Sequence, residues 1–162
     1  MLALAQEVCQ YADMTETGTV QPLDESVGYA LKQAQAALRS AMEAALRPHG
    51  LTVPQYACLE LLHQRPGLSN ADLARGAFVS RQAMNGVLRG LEERRLVTRP
   101  AEAEHGRELP AMLTAGGQKR WRAASEAVAA VEHKMIAPLS VDRRQRLLKD
   151  LAACANALTG ND

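Results

Sequence analysis

From Asp24 onward, apolar side chains recur every three or four positions: Val27, Leu31, Ala34, Leu38, Met42 and Leu46. That period marks one face of an α-helix, with Lys32, Gln33, Arg39 and Glu43 on its polar side. Asp24 or Ser26 can cap its start, and Pro48 and Gly50 end it. A second helix is predicted after Thr52, its cap, with Pro54 suited to the first turn. Tyr56, Leu59, Leu62 and His63 follow, until Arg65-Pro66-Gly67 breaks it. Ser69 caps a short helix over Asn70 to Gly76, with Leu73 and Ala74 facing inward. After a tight connection over Ala77 to Val79, Ser80 caps a further helix that runs to Arg94 or Arg95. Two short helices joined by a tight turn form a helix-turn-helix.

The second of these short helices has two unlike faces. Met84, Val87, Leu88 and Leu91 share one side, and Gln82, Asn85, Gly86 and Arg89 the opposite side. Gly86 and Gly90 are expected to keep that polar side low in profile. Leu96 to Arg99 then reads as a strand, Pro100 to Gly106 as a polar tip, and Arg107 to Leu113 as a returning strand that Pro110 confines to an edge. A strand, polar tip and strand after a helix-turn-helix predict a β-hairpin wing. Thr114 caps a long helix in which Trp121, Ala124, Val128, Val131 and Met135 make a heptad-like seam. Pro138 ends it, and Ser140 caps a last helix with Leu148, Leu151, Ala155 and Leu158 at the same spacing. The expected fold is mainly α with a small β-hairpin wing. A mobile tail is expected over residues 1–22, a winged helix-turn-helix domain over 51–114, and a helical dimerisation region over 23–50 and 115–160.

Composition narrows the picture. Hydrophobic residues make up 47% of the 162-residue chain but aromatic ones only 3%, so Ala, Leu and Val must build the core, a helix-favouring mixture. A net charge of +1 says little, because DNA binding depends on the local field. Cys9, Cys58 and Cys154 form no CxxC or zinc spacing, which fits reduced thiols in a cytoplasmic protein. His49, His63, His105 and His133 make no metal-binding pair, and no metal or cofactor is expected. No apolar run has the length of a membrane span. Met1 to Val8 lacks the basic flank of a signal peptide, and Met1 and Met14 both stand open as the start.

The polar face of the second short helix carries the chemistry. Arg can bond guanine in pairs, and Asn or Gln can do the same for adenine, in the major groove. Arg81, Gln82, Asn85 and Arg89 are therefore the candidate base readers. Ser69 and Ser80, at helix starts, are candidate phosphate contacts. Arg99 and Arg107 flank the wing, whose tip is expected to enter the minor groove. Arg75, Arg81, Arg89, Arg94, Arg95, Arg99 and Arg107 make the stretch locally basic without a lysine, diluted by Glu92, Glu93, Glu102 and Glu104. A solvated helix face or a protein-binding winged helix are the competing readings. There is no Gly-rich phosphate loop, GxSxG, metal spacing or catalytic triad, so an enzyme is not expected.

In this order and spacing, the motifs resemble those of the MarR family of transcriptional regulators over about Asp24 to Leu158. The matching pieces are Leu51-Thr-Val-Pro-Gln-Tyr56, Leu73-Ala74, Val79-Ser80-Arg-Gln82, Leu91-Glu-Glu-Arg-Arg-Leu-Val97, Gly106-Arg107 and Leu113-Thr-Ala-Gly-Gly117. Arg95 stands where the family usually has Gly, and His105 where an acidic residue commonly orients the wing arginine. His105 itself is a candidate phosphate contact. The resemblance implies a homodimer with interlocked terminal helices, bound to a double-stranded, pseudo-palindromic operator. It also implies release by a small aromatic or phenolic effector, or by oxidation of a cysteine. An effector pocket would fall between the dimer helices and the winged domain, with Tyr29, Met42, His49, Tyr56, Leu59 and Trp121 as candidate walls. Cys58 is the candidate redox residue, although no neighbouring basic residue lowers its pKa.

Overall fold

The computed structural model describes residues 22–99 and 110–160. The expected tail, save Pro22, lies outside the described residues, as do Cys9, the wing tip, His105 and Arg107. The chain divides into two units at Ala36/Ala37. In the first, a 3-10 turn over Leu23–Glu25 precedes α1, Val27–Leu46. Ser26 is the α1 cap, its Oγ accepting from the Tyr29 N–H at 3.3 Å.

The second unit holds the rest of α1, a 3-10 turn over Arg47–His49, and then α2 (Val53–Gln64), α3 (Asn70–Gly76) and α4 (Arg81–Glu93). Strands β1 (Val97–Thr98) and β2 (Met112–Leu113) follow, then α5 (Ala115–Ile136) and α6 (Val141–Thr159). Every predicted start cap in this unit forms. Thr52 and Gln55 make a reciprocal capping box. Ser69, Ser80, Thr114 and Ser140 each accept from the backbone N–H three residues on.

The core draws on the helices and strands of this unit up to α5. Leu46, Leu59, Leu62, Leu73, Met84, Leu88 and Leu91 are fully buried, with Leu96, Val97, Ala111 and Ala124 closing the cluster. Only the first part of the α5 seam belongs to it, since Ala124 is buried and Trp121 and Val128 pack against the cluster. The described residues of α6 bury nothing.

The expected antiparallel pairing of the wing forms, over a shorter length than the sequence predicts. Its strands are short, with Val97 opposite Leu113 and Thr98 opposite Met112. Residue 111 pairs elsewhere: Ala111 bridges Leu68 in the link between α2 and α3. Gly67 N–H donates to Ala111 O at 2.9 Å and Ala111 N–H to Leu68 O at 3.3 Å. One bridging residue carries no period by which a strand could be recognised from sequence. Gly117 explains the Thr-x-x-Gly opening of α5, because a Cβ there would lie 1.9 Å from the Leu96 carbonyl oxygen. Only glycine lets α5 pass this close to the chain entering β1.

Candidate nucleic-acid interface

The sides of α4 fall as the sequence pattern requires. Met84, Leu88 and Leu91 are buried, and Arg81, Gln82, Asn85, Gly86 and Arg89 are exposed. Gly86 has nothing near the place of a Cβ, so the outward face is low there. Gly90 turns the other way, its absent Cβ facing the Gln55 side chain at 3.7 Å, so it does not thin the outward face as expected. Asn70 Nδ2 donates to the Arg81 carbonyl at 3.3 Å, fastening the start of α3 to the start of α4.

The two candidate serines differ. Ser80 is exposed, and its Oγ accepts from Ala83 N–H at 3.1 Å. Ser69 is buried, and its hydroxyl both donates to Asp72 Oδ2 at 2.6 Å and accepts from Asp72 N–H at 3.2 Å. That hydroxyl is committed inside its own helix. The Ser69 bond holds the Asp72 carboxyl below its ordinary pKa, and the neighbouring Arg75 adds to the shift.

Arg99 is likewise engaged within the fold. Its Nε and Nη2 donate to the two carboxylate oxygens of Glu92, each at 2.6 Å, in a partly buried fork. The Glu92 bonds raise the guanidinium pKa further. Arg99 therefore ties the base of the wing to α4, and Glu92 is its orienting acid. In sequence Glu92 shows only as an acid diluting the basic patch, because its partner lies seven residues on in another element.

The proposed pocket walls are dispersed. Tyr29 is exposed in the first unit. In the second, Leu59 is a fully buried core residue and Met42 packs against the core. Tyr56 and Trp121 meet at a residue absent from the sequence reading, Glu60. Its Oε2 accepts from Tyr56 OH at 2.9 Å and Trp121 Nε1 at 2.7 Å, and its Oε1 from Gln64 Nε2 at 2.7 Å. Partial burial pushes the Glu60 pKa up, but the donated bonds and nearby His63 outweigh it, and the net direction is down. Burial, then the Glu60 bond, raises the pKa of Tyr56. The Trp121 ring stacks on His63 with centroids 3.4 Å apart. The spacing of Tyr56, Glu60 and Gln64, four residues apart each, was the available signal.

His49 belongs to another feature, a cleft of about 370 Å³ lined by His49, Leu96, Gly116, Lys119, Arg120 and Ala123. Arg120 Nη1 donates to the His49 carbonyl at 2.9 Å across it. Cys58 is fully buried, and burial pushes its thiol up to about 12. The thiolate needed for oxidation is therefore scarce at neutral pH. Among the described residues there is no cluster suited to a metal ion and no helix long and apolar enough to cross a membrane.

A sequence model of the MarR family matches residues 49–108. The chain is 44% identical over 133 residues to the HTH-type transcriptional repressor Rv2887 of Mycobacterium tuberculosis, covering 80% of this chain and 96% of that protein. The crystal structure of Rv2887 with salicylic acid superposes with a TM-score of 0.65 at 43% identity, over 80% of this chain and 96% of that one. Rv2887 in complex with DNA gives 0.66 at 41% identity, over 80% and 97%.

Proposed function

Because the chain belongs to the MarR family of transcriptional regulators, we propose that it is a repressor that binds a pseudo-palindromic operator as a homodimer and is released by a small aromatic effector. The observation that carries this is the exposed face of α4. It offers Arg81, Gln82, Asn85 and Arg89 to base edges, with Ser80 at the helix start for phosphate. The DNA-binding domain is residues 51–114, the dimerisation region is residues 23–50 and 115–160, and the site of action is the cytoplasm. A two-fold dimer sets its two recognition helices roughly 34 Å apart, one turn of DNA.

The salicylic acid complex of Rv2887 supports an aromatic carboxylate as the effector class. In this chain the cleft beside His49 has the matching chemistry. Lys119 and Arg120 supply positive charge for a carboxylate, and Leu96 and Ala123 supply apolar wall. The high thiol pKa of Cys58 weighs against release by oxidation.

Mobility shift with the DNA upstream of the chain's own gene, across a salt series, tests the reading. Salt-sensitive binding that salicylate weakens is the expected result. The absence of any shift at low salt would overturn it. Arg89→Ala is expected to weaken specific binding by about 1–3 kcal/mol. An equal loss on random DNA would reassign Arg89 to a phosphate contact.

A further inference from the structure

Three helix exits in the second unit use the same motif, and only one uses the residue that suits it. After the Arg47–His49 turn, Gly50 N–H donates to Arg47 O at 3.0 Å and Leu51 N–H to Leu46 O at 3.3 Å. After α3, Phe78 N–H donates to Arg75 O at 3.2 Å and Val79 N–H to Ala74 O at 3.0 Å. After α4, Arg95 N–H donates to Glu92 O at 2.8 Å and Leu96 N–H to Leu91 O at 2.9 Å. This paired pattern puts one residue in left-handed backbone, where glycine is the usual occupant. The φ angles are +63° at Gly50, +55° at Phe78 and +54° at Arg95.

Phe78 is the least suited of the three. It is the chain's single phenylalanine, and 94% of its surface is exposed. Its neighbours Ala77 and Val79 pack against the core, so the turn is anchored while the ring stands in water. A bulky side chain at this φ is strained, and no burial of the ring offsets that strain. Stability of the free protein therefore gives no reason for a phenylalanine here.

The position of Phe78 indicates what the ring meets. It lies two residues before Ser80, the cap of α4, and next to the exposed first turn that carries Arg81 and Gln82. A duplex read by α4 brings its groove edge against this turn. The apolar group that DNA presents in the major groove is the thymine C5-methyl, and phenylalanine is among the side chains that pack on it. We infer that Phe78 is a DNA contact, its ring lying on a thymine methyl beside the bases read by α4. This rests on the proposed role of α4, and it adds an apolar element to a polar reading face.

The test compares wild type with Phe78→Gly and Phe78→Asn, two residues at ease in left-handed backbone. The probe is a duplex selected by the wild-type chain from a randomised pool, with binding followed by fluorescence anisotropy. Both variants should melt about 2–4 °C higher than wild type and bind the duplex about tenfold more weakly. Replacing the contacted thymine by deoxyuridine should weaken wild type but neither variant. Variants that bind as tightly as wild type would overturn the contact and leave Phe78 to a protein partner. Variants that bind weakly because they are less stable would make it structural. Lost affinity with no sensitive thymine would overturn the methyl contact. If wild type selects no duplex, the reading of α4 itself fails, which is a separate result.

Discussion

At the scale of single residues, the fold places two unfavourable backbone choices on either side of α4. Arg95 is exposed like Phe78 and stands where the family usually has glycine, but a guanidinium in water is at home, so its exposure points to no partner. Its carbonyl does structural work by accepting from Thr114 Oγ1 at 2.7 Å, but any residue supplies a carbonyl. Arg95→Gly removes the Cβ clash of left-handed backbone, worth roughly 1–2 kcal/mol, and returns part of it as unfolded-chain entropy. The expected net gain is about 0.5–1 kcal/mol, seen as a melting temperature higher by about 1–4 °C. An unchanged or lower melting temperature would mean that the guanidinium stabilises the fold. The sequence exposed the departure at Arg95 but not its cost, because a φ angle follows from how a helix ends and not from the identity of the residue.

At the scale of elements, what the sequence revealed and what it hid follow from the range of the interactions. Caps, helix periods and the two faces of α4 depend on residues within one turn, and Thr52, Ser69, Ser80, Thr114 and Ser140 were legible for that reason. The Leu68–Ala111 bridge, the Arg99–Glu92 fork and the passage of Gly117 over Leu96 join distant segments or separate elements, and no local pattern encodes them. The Glu60 junction is of the same kind, fastening α5 to α2 through Trp121. It yields a pH prediction. The net shift holds Glu60 below its ordinary 4.5, so the ionised form stabilises the fold above that pH. That contribution is lost as pH falls through the lower folded value. Glu60→Gln still accepts hydrogen bonds but cannot titrate, so urea midpoints below the ordinary carboxylate range should fall less steeply with acid than in wild type. Parallel acid limbs would remove Glu60 from the titration.

At the scale of the whole molecule, the question is what covers the apolar surface that the chain leaves exposed. On α6, Leu148 is 70% exposed, Leu151 40% and Leu158 88%, spaced along one helical face, and Leu147 beside them is 43% exposed. In the first unit, Leu23, Val27 and Leu31 are also at least half exposed. Burying one such leucine fully is worth about 1.5–3 kcal/mol, and a two-fold contact buries each of them twice. Apart from Phe78 and Met112, the surplus among the described residues lies in the segments proposed for dimerisation, while the winged domain closes its core with Leu46 of α1 and Ala124 of α5. Dimerisation and DNA reading should therefore separate cleanly. Leu148→Glu with Leu151→Glu should convert a dimer at micromolar concentration into a monomer in sedimentation, with near-native circular dichroism from the intact winged core. Its affinity for a palindromic duplex should fall about a hundredfold or more, because the second half-site no longer binds at the effective concentration set by the partner. Its affinity for a single half-site should stay unchanged. A wild-type monomer under these conditions would refute the dimer, and a double variant that still dimerises would move the interface away from this face of α6.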